Sequence, residues 1–357
     1  MNSRLQKLRG RFKEKGIDGI FITQRENRRY LSGFDGSSGF LVISKQKAVL
    51  ATDFRYTEQA ITEAPDFEIL RIANNINDWF PGLIREMGIQ KPGFEARDVS
   101  YDFHRQLTEA LKKKKLKVEM VPVDGLVEQV RAVKEPEEIE FIRRSAAIAD
   151  AAYESVINRI KPGMTELQLA WELEKELRER GSQALPFEII VASGPRGALP
   201  HAKPTDRAIE DGDPVVIDMG ARYRGYASDM TRTICSGRPD DTFKKVYNTV
   251  LAAQKAATAI IREGITGKKA DAAARKIIRE AGYGEAFGHA LGHGVGLAEH
   301  ELPRLGPGAE GPLEEGMVFT VEPGIYISGW GGVRIEDTVV MENGKAVPLT
   351  KAVKGSY

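Results

Sequence analysis

The amino-acid sequence predicts an α/β domain over about residues 1–128, followed by an α+β domain over about 129–357 that consists of two similar halves. Three observations support this fold class. β-rich runs alternate with helical patterns up to about residue 125, as in α/β domains. A long helical stretch begins near Val130 and changes the character of the chain. An internal repeat follows it, and a chain of 357 residues is long enough for two domains.

The first domain begins with an amphipathic pattern over residues 3–16, because Leu5, Leu8 and Phe12 fall on one face of a helix. Short β-rich runs separated by Gly, Ser and Asp then predict strands; these runs are IDGIFIT, GFLVISKQ and KAVLAT. Helical patterns follow around residues 56–64, 76–88 and 101–113.

Charge, cysteine content and the N-terminus bear on partners and location. The 52 basic and 51 acidic side chains give a net charge of +1, which offers no electrostatic basis for binding nucleic acid or an acidic membrane. The single cysteine, Cys235, excludes an intramolecular disulfide and indicates a reducing compartment. The first residues lack the apolar core of a secretory signal, and no apolar run approaches the roughly 20 residues of a spanning helix. We therefore expect a cytoplasmic protein.

The second domain begins with a long helical run in which Pro136 marks the first turn, a position where proline is favoured. Residues 161–181 then resemble residues 262–282 at a fixed offset of 101 positions. The matching pairs are Gly163 with Gly264, Thr165 with Thr266, and Gly181 with Gly282. Each copy follows an Ala-rich helix and precedes β-rich sequence, which predicts two similar halves. A ligand site is expected where the halves meet.

The stretch GHALGHGVGLAEH contains three of the five histidines of the chain, His289, His293 and His300. Four glycines in the same stretch make a long helix unfavourable. In an extended chain, the four-residue step from His289 to His293 places both rings on one face. The stretch therefore predicts a strand that presents histidines to a substrate or a metal.

Two predicted hairpins each place a pair of carboxylates on one face of a sheet. A turn centred between Tyr223 and Arg224 would put Asp218 opposite Asp229. In the second hairpin, a turn centred on Gly329 would put Glu322 opposite Glu336. Neighbouring carboxylates on a sheet repel each other unless a cation lies between them.

Together with His293, these four carboxylates predict a site for two divalent cations. Four negative charges match two such ions, and oxygen-rich coordination with one His favours Mn²⁺ or Co²⁺, with Zn²⁺ or Fe²⁺ as further candidates. Two metals about 3.5–4 Å apart form the usual centre of a two-metal hydrolase, in which they activate a water molecule and bind the attacked oxygen.

The segments around these residues resemble a known family. ALPHAKPT, VVIDMG, SDMTRT, GHGVGLAEHE, VEPGIY and VRIED occur between residues 198 and 337, in the family's order. They are similar to the "pita-bread" metallopeptidases, and above all to Xaa-Pro dipeptidases (prolidases) and Xaa-Pro aminopeptidases. YLSGFDGSSGFLVI and TDFRYTEQA resemble the creatinase-like N-terminal domain of the same proteins. The resemblance covers nearly the whole chain and implies a homodimer.

The resemblance also implies roles for individual residues. The two metals would be bound by Asp218, Asp229, His293, Glu322 and Glu336, with Asp229 and Glu336 bridging them. The residues expected to act on the substrate are His201, His289, His300, Glu322 and Arg334. Glu322 would take the proton of the attacking water, and His201 and His300 would stabilise the oxyanion. His289 and His300 would contact the substrate and share protons with the leaving amine. Arg334 would bind substrate or an acidic ligand, and Tyr326 is a weaker candidate on the same face.

The implied reaction is hydrolysis of the peptide bond before proline, in a small peptide with proline at the second position. That bond is a tertiary amide without an N–H. Proteases that recognise an extended substrate backbone therefore lose a hydrogen-bond donor at the proline. The compact length favours a dipeptidase, and an Xaa-Pro aminopeptidase acting on longer peptides is the alternative. Arg334 and the N-terminal domain speak against a methionine aminopeptidase. The complete ligand set speaks against a metal-free creatinase-type enzyme and against a non-catalytic peptide-binding module of this fold.

Overall fold

The order of the elements follows the two-domain pattern expected from the sequence. A computed structural model describes residues 3–73, 75–355 and 357 of the chain. These residues separate into two compact units, and the division falls between Arg131 and Ala132. The boundary expected at 128/129 lies inside a helix that spans Leu126–Ala132. Among the described residues, none of the helices combines the length and apolar character that crossing a membrane requires.

The first unit has the predicted α/β class. Its elements are α1 (Ser3–Gly10), β1 (Gly19–Ile22), α2 (Arg25–Ser32), β2 (Phe40–Ser44), β3 (Ala48–Thr52), α3 (Thr57–Glu63), β4 (Glu68–Arg71), α4 (Ile76–Glu86), β5 (Pro92–Glu95), α5 (Tyr101–Lys113), β6 (Val121–Val123) and α6 (Leu126–Ala132). The strands form one mixed sheet in the order β4-β3-β2-β1-β5-β6. Phe21 of β1, Phe80 of α4 and Leu107 of α5 share its core.

The first helix is shorter than the pattern over 3–16 predicted. α1 ends at Gly10, and the chain continues to Gly16 as turns in which the N–H of Phe12 bonds to the carbonyl of Arg9 at 3.2 Å. Gly10 is a poor helix former, which explains the early end. The apolar face itself is as predicted, because Leu8 and Phe12 are fully buried.

The second unit combines paired helices with antiparallel sheets. Its elements are α7 (Pro136–Ile157), α8 (Glu166–Glu179), β7 (Ile190–Ser193), a 3₁₀ helix (Gly194–Ala198), β8 (Pro214–Met219), β9 (Arg222–Tyr223), β10 (Tyr226–Ala227), β11 (Met230–Cys235), α9 (Asp241–Ile260), α10 (Gly267–Glu280), a 3₁₀ helix (Gly284–Ala286), β12 (Gly292–Gly294), β13 (Glu301–Leu305), β14 (Val318–Val321), β15 (Gly324–Ile327), β16 (Gly331–Arg334), β17 (Asp337–Glu342) and β18 (Lys345–Pro348). The sheet orders are β11-β8-β7 and β13-β12-β14-β17-β18, with ribbons β9–β10 and β15–β16.

The internal repeat predicted from the sequence is present in the structure. Helices α8 and α10 begin and end at positions that differ by the predicted offset. Each is capped by a threonine hydroxyl: Thr165 accepts the N–H of Gln168, and Thr266 accepts that of Lys269. In each half, this helix packs against the long helix before it, α7 or α9.

The second hairpin has the predicted register. Val321 pairs with Asp337, and Gly324 pairs with Arg334. Both pairs are centred on Gly329, whose φ of +79° suits glycine at a turn. The positions of Glu322 and Glu336 fall between these two pairs, as predicted.

The register predicted for the first hairpin is wrong, because the centre of the turn lies one residue later in the chain than predicted. Asp218 pairs with Thr231, not with Asp229. The turn is centred between Arg224 and Gly225, which have positive φ of 50° and 83°. A two-residue type I′ turn needs positive φ at both central residues, so Gly225 must be one of them and the centre moves past Arg224. Asp229 therefore precedes β11 instead of facing Asp218 across the ladder.

A buried ion pair joins the two halves of this unit. Arg232 of β11 donates to Asp337 of β17 at 2.8 Å, and both side chains are almost fully buried. Gln254 of α9 donates to the other carboxylate oxygen at 2.8 Å. Next to this pair, the N–H of Glu336 donates to the carbonyl oxygen of Thr231 at 3.0 Å. These contacts bring the carboxylates of the two hairpins close to one another.

Candidate metal centre

A cavity of about 390 Å³ lies in the second unit. Its lining includes every residue that the sequence predicted for the site: Asp218, Asp229, His293, Glu322 and Glu336, together with His201, His289, His300, Tyr326 and Arg334. Asp218 is the penultimate residue of β8, and the other three carboxylates lie just outside strands. Asp229 directly precedes β11, Glu322 directly follows β14, and Glu336 separates β16 from β17.

Three of these residues form a compact group. One ligand atom each from Asp229, His293 and Glu336 lies within 4.8 Å of the others, and all three residues are buried. Glu322 adjoins the group, with its Oε1 atom 3.4 Å from His293 Nε2. Asp218 is not part of this compact group, and its Oδ2 atom accepts a hydrogen bond from Arg334 at 2.7 Å.

Threonine hydroxyl groups orient these side chains. Thr231 donates to Glu336 at 2.6 Å, and its oxygen accepts from Arg334 at 3.0 Å. Thr320 accepts the N–H of His293 at 3.1 Å and donates to Glu322 at 2.9 Å. Hydrogen bonds from both halves of the unit therefore hold the cluster.

The cluster carries more negative charge than its surroundings balance. Burial, followed by repulsion from the neighbouring carboxylates, raises the pKa of Asp229 and of Glu336 well above their ordinary values. Burial also raises the pKa of Glu322 to about 7. In addition, the Oδ1 atom of Asp218 is buried and has no hydrogen-bond partner among the described residues. Divalent cations would remove the repulsion and would satisfy this oxygen, so the residues present fit a metal.

The imidazole of His293 points a lone pair at the carboxylates. Its Nδ1 atom lies 3.0 Å from the carbonyl oxygen of Gly294, which can only accept, so Nδ1 carries the proton. Burial lowers the pKa of His293 to about 3, which keeps the ring neutral. Its Nε2 atom then faces Asp229 at 3.6 Å and Glu322 at 3.4 Å. Three lone pairs directed at one another are the arrangement that a bound cation stabilises.

His289 belongs to a hydrogen-bonded chain along the cavity wall. Its Nδ1 atom lies 2.8 Å from the carbonyl of Ala290, and its Nε2 atom lies 2.9 Å from the hydroxyl of Tyr326. Arg334 donates to that hydroxyl at 2.8 Å and to Asp218. Tyr326, a weaker candidate in the sequence, thus connects His289 with an acidic residue of the cluster. The other two candidate histidines, His201 and His300, are exposed, and the ring of His300 lies 4.0 Å from that of His293.

Glu166 fixes the segment that carries His201. This carboxylate at the start of α8 is fully buried. It accepts hydrogen bonds from the N–H and hydroxyl of Ser193, from Arg196 and from the N–H and hydroxyl of Thr205, all at 2.8–3.0 Å. The sequence did not single out Glu166, because a Glu in the first turn of a helix is common.

The sequence also missed Arg304, which lines the cavity and is exposed. Arg304 pairs with His293 across strands β12 and β13. Its guanidinium has no hydrogen-bond or ion-pair partner among the residues that the structure describes. Arg304 could have been identified from the sequence by predicting that the run ELPRL pairs with the strand that contains His293. The neighbouring cation Lys203, in contrast, forms an ion pair with Glu188 at 2.7 Å.

Comparisons with known proteins identify the family of the chain. Residues 140–343 match metallopeptidase family M24, and residues 4–133 match the Creatinase/Prolidase N-terminal domain. The chain is 44% identical over 342 residues to the uncharacterized peptidase YqhT of Bacillus subtilis, covering 96% of each. It is similar to the solved Xaa-Pro dipeptidase from Bacillus anthracis (45% identity, TM-score 0.95, 99% of this chain and 98% of that one). It is also similar to the X-Pro aminopeptidase from Thermotoga maritima (40% identity, TM-score 0.88, 96% and 98%).

The fit of the cluster to a metal predicts how one substitution changes stability. Saturating Mn²⁺ should raise the thermal midpoint of the wild-type protein by about 5–10 °C, because ligand at 100 times its Kd stabilises a fold by about 2.7 kcal/mol. Glu336→Gln should lose this rise, since it removes a ligand at the centre of the cluster. Without metal, the variant should be at least as stable as wild type, because one repelling carboxylate is gone.

Differential scanning calorimetry with and without Mn²⁺ measures both effects. Glu299→Gln is the matched control, because Glu299 lines the same cavity but lies outside the ligand set. The control should keep the full rise. A full rise in Glu336→Gln would contradict the assignment of Glu336 as a ligand.

Proposed function

Because this chain belongs to metallopeptidase family M24, we propose that it is a two-metal Xaa-Pro dipeptidase, a prolidase that hydrolyses the bond before proline in a free dipeptide. The observation that carries the choice of substrate is the guanidinium of Arg304, which has no partner among the described residues and lies on the wall of the cavity that contains the carboxylate cluster. A homodimer, implied by the family resemblance, stays a prediction.

The metal ligands in this proposal share buried or cavity-facing positions in both halves of the second unit. They are Asp218, Asp229, His293, Glu322 and Glu336. Oxygen-rich coordination with one imidazole favours Mn²⁺ or Co²⁺. When bound, divalent cations supply a water of lowered pKa and a positive charge beside the attacked carbonyl oxygen.

Glu322, in addition to its role as a ligand, and several side chains outside the ligand set bind substrate or move protons. Glu322 lies at the cavity and takes the proton released when water attacks the scissile carbonyl carbon. That proton then passes to the proline nitrogen as the C–N bond breaks, so the reaction releases a free amino acid and proline. His201 and His300 are exposed at the cavity and contact the carbonyl oxygen as its charge develops. Tyr326 and Arg334 keep the wall rigid, because Arg334 donates to the Tyr326 hydroxyl and that hydroxyl bonds to His289.

Arg304 provides the contact that favours a dipeptide. The proline of a free dipeptide ends in a carboxylate, and a guanidinium binds a carboxylate through two parallel charge-assisted hydrogen bonds. A longer peptide has an uncharged amide at this position. The second candidate, an Xaa-Pro aminopeptidase, is favoured by the similarity to the Thermotoga maritima X-Pro aminopeptidase, which is 40% identical.

The two candidates predict different products. Mn²⁺-loaded protein offered Ala-Pro and Ala-Pro-Ala-Ala in parallel should cleave Ala-Pro at least 100 times more efficiently, because the carboxylate contact is available only in the dipeptide; this factor corresponds to about 2.7 kcal/mol. Chromatographic product analysis, with metal-free protein as the control, measures it. Rapid release of Ala from the longer peptide would establish the aminopeptidase. No cleavage of either peptide by metal-loaded protein would refute the Xaa-Pro function.

The role of Arg304 predicts a substrate-dependent change in KM. Arg304→Met should raise KM for Ala-Pro by about 10- to 100-fold, because a hydrogen-bonded contact between charged groups contributes roughly 1.5–3 kcal/mol. The KM for Ala-Pro amide, which has no carboxylate, should be the same in both proteins.

Lys203→Met is the control, since Lys203 lines the cavity but is exposed and paired with Glu188. It should change KM by less than about threefold, as expected for an exposed ion pair. Equal increases in KM for Ala-Pro and its amide in Arg304→Met would show that Arg304 does not bind the carboxylate.

A further inference from the structure

A helix outside the cavity carries a partly buried ion pair close to His289. Asp271 and Arg275 lie four residues apart on α10, so their side chains share one face of the helix. Arg275 binds both oxygens of the Asp271 carboxylate at 2.8 Å. Asp271 is buried, and the guanidinium compensates a charge that would otherwise be unfavourable there.

The same pair also binds the segment that carries His289. Arg275 donates to the carbonyl oxygen of Phe287 at 2.8 Å and to that of His289 at 2.9 Å. Asp271 accepts the N–H of Leu291 at 3.2 Å. Three backbone groups within five residues are thereby fixed, and the middle one belongs to His289.

The position of His289 depends on these contacts more than on the sheet. His289 precedes β12, so the strand ladder does not fix its backbone. A side chain at the neighbouring Gly288 would meet nothing within 4 Å, so packing does not restrict that position either. The ring nevertheless has to place Nε2 within 2.9 Å of the Tyr326 hydroxyl. Through Tyr326 and Arg334, the chain of hydrogen bonds continues to Asp218.

We infer that Asp271 and Arg275 are positioning residues for the site: through the backbone of residues 287–291 they set the His289 imidazole against Tyr326 on the cavity wall. The kinetic consequence rests on the proposed function, whereas the structural consequence does not. A purely structural pair would stabilise the fold without acting through His289, and the two roles differ in measurable ways.

A double-mutant cycle tests the kinetic consequence. Arg275→Lys keeps the charge but cannot form the bidentate contact and two carbonyl hydrogen bonds together. It should lower kcat/KM for Ala-Pro by about 10- to 100-fold, the loss typical of a misplaced group at a reacting centre. In a His289→Ala background, the same substitution should cause no further loss, because its effect passes through the missing imidazole. Losses that multiply in the double variant would overturn the inference.

Nitrogen NMR of histidine-labelled protein tests the structural consequence without any activity. The wild-type His289 signal should show the Nδ1–H form, and Arg275→Lys should shift it while leaving the signal of His104, in the first unit, unchanged. Asp271→Asn, which keeps the side-chain volume, is the second variant and should shift the same signal. An unchanged His289 signal in both folded variants would overturn the inference.

Glu174→Gln is the matched control. Glu174 forms an i,i+4 pair with Arg178 on the equivalent helix α8, where both side chains are partly exposed. This variant should leave both kcat/KM and the His289 signal unchanged. If metal-loaded wild-type protein cleaves no Xaa-Pro peptide, the proposed function fails, and the His289 signal still decides the positioning role.

Discussion

The concentration of negative charge around Asp229 and Glu336 is the constraint on which the second unit depends. Both carboxylates are buried, and burial and mutual repulsion raise the pKa of each well above its ordinary value. A protein of about this size is stable by only roughly 5–15 kcal/mol, so several uncompensated buried charges cannot be tolerated. Protonation or a bound cation must relieve them. The neutral His293 favours the cation, and so does the Asp218 oxygen that lacks a partner in the described part of the chain.

The repeat explains how a chain brings these charges together. Each half contributes a hairpin whose acidic residues lie at strand ends, and the Arg232–Asp337 ion pair holds the two hairpins side by side. The helices behind them carry further carboxylates that fix the loops of the cavity. Glu166 on α8 binds the segment with His201, and Asp271 on α10 binds the segment with His289. Rigid elements therefore position groups that lie on irregular chain, which is how catalytic sites are usually supported.

The sequence predicted the fold class, the residues it predicted for the site line one cavity, and its errors have physical causes. Centring the second hairpin on Gly329 predicted its register, because glycine suits the positive φ of that turn. The first hairpin was misplaced because Arg224 adopts a positive φ that arginine rarely takes. Arg304 and Asp271 were missed for a different reason. Their roles depend on pairing between segments distant in the chain, which neither composition nor spacing reveals.

The most direct test of this account is a crystal of the Mn²⁺-loaded protein measured near the manganese absorption edge. The account predicts two anomalous peaks per chain at the cavity, within bonding distance of the proposed ligands Asp218, Asp229, His293, Glu322 and Glu336. It also predicts that the Oδ1 atom of Asp218 becomes a ligand. An empty cavity at saturating Mn²⁺, or ions bound only elsewhere on the surface, would contradict the claim that the buried carboxylates are built to hold metal.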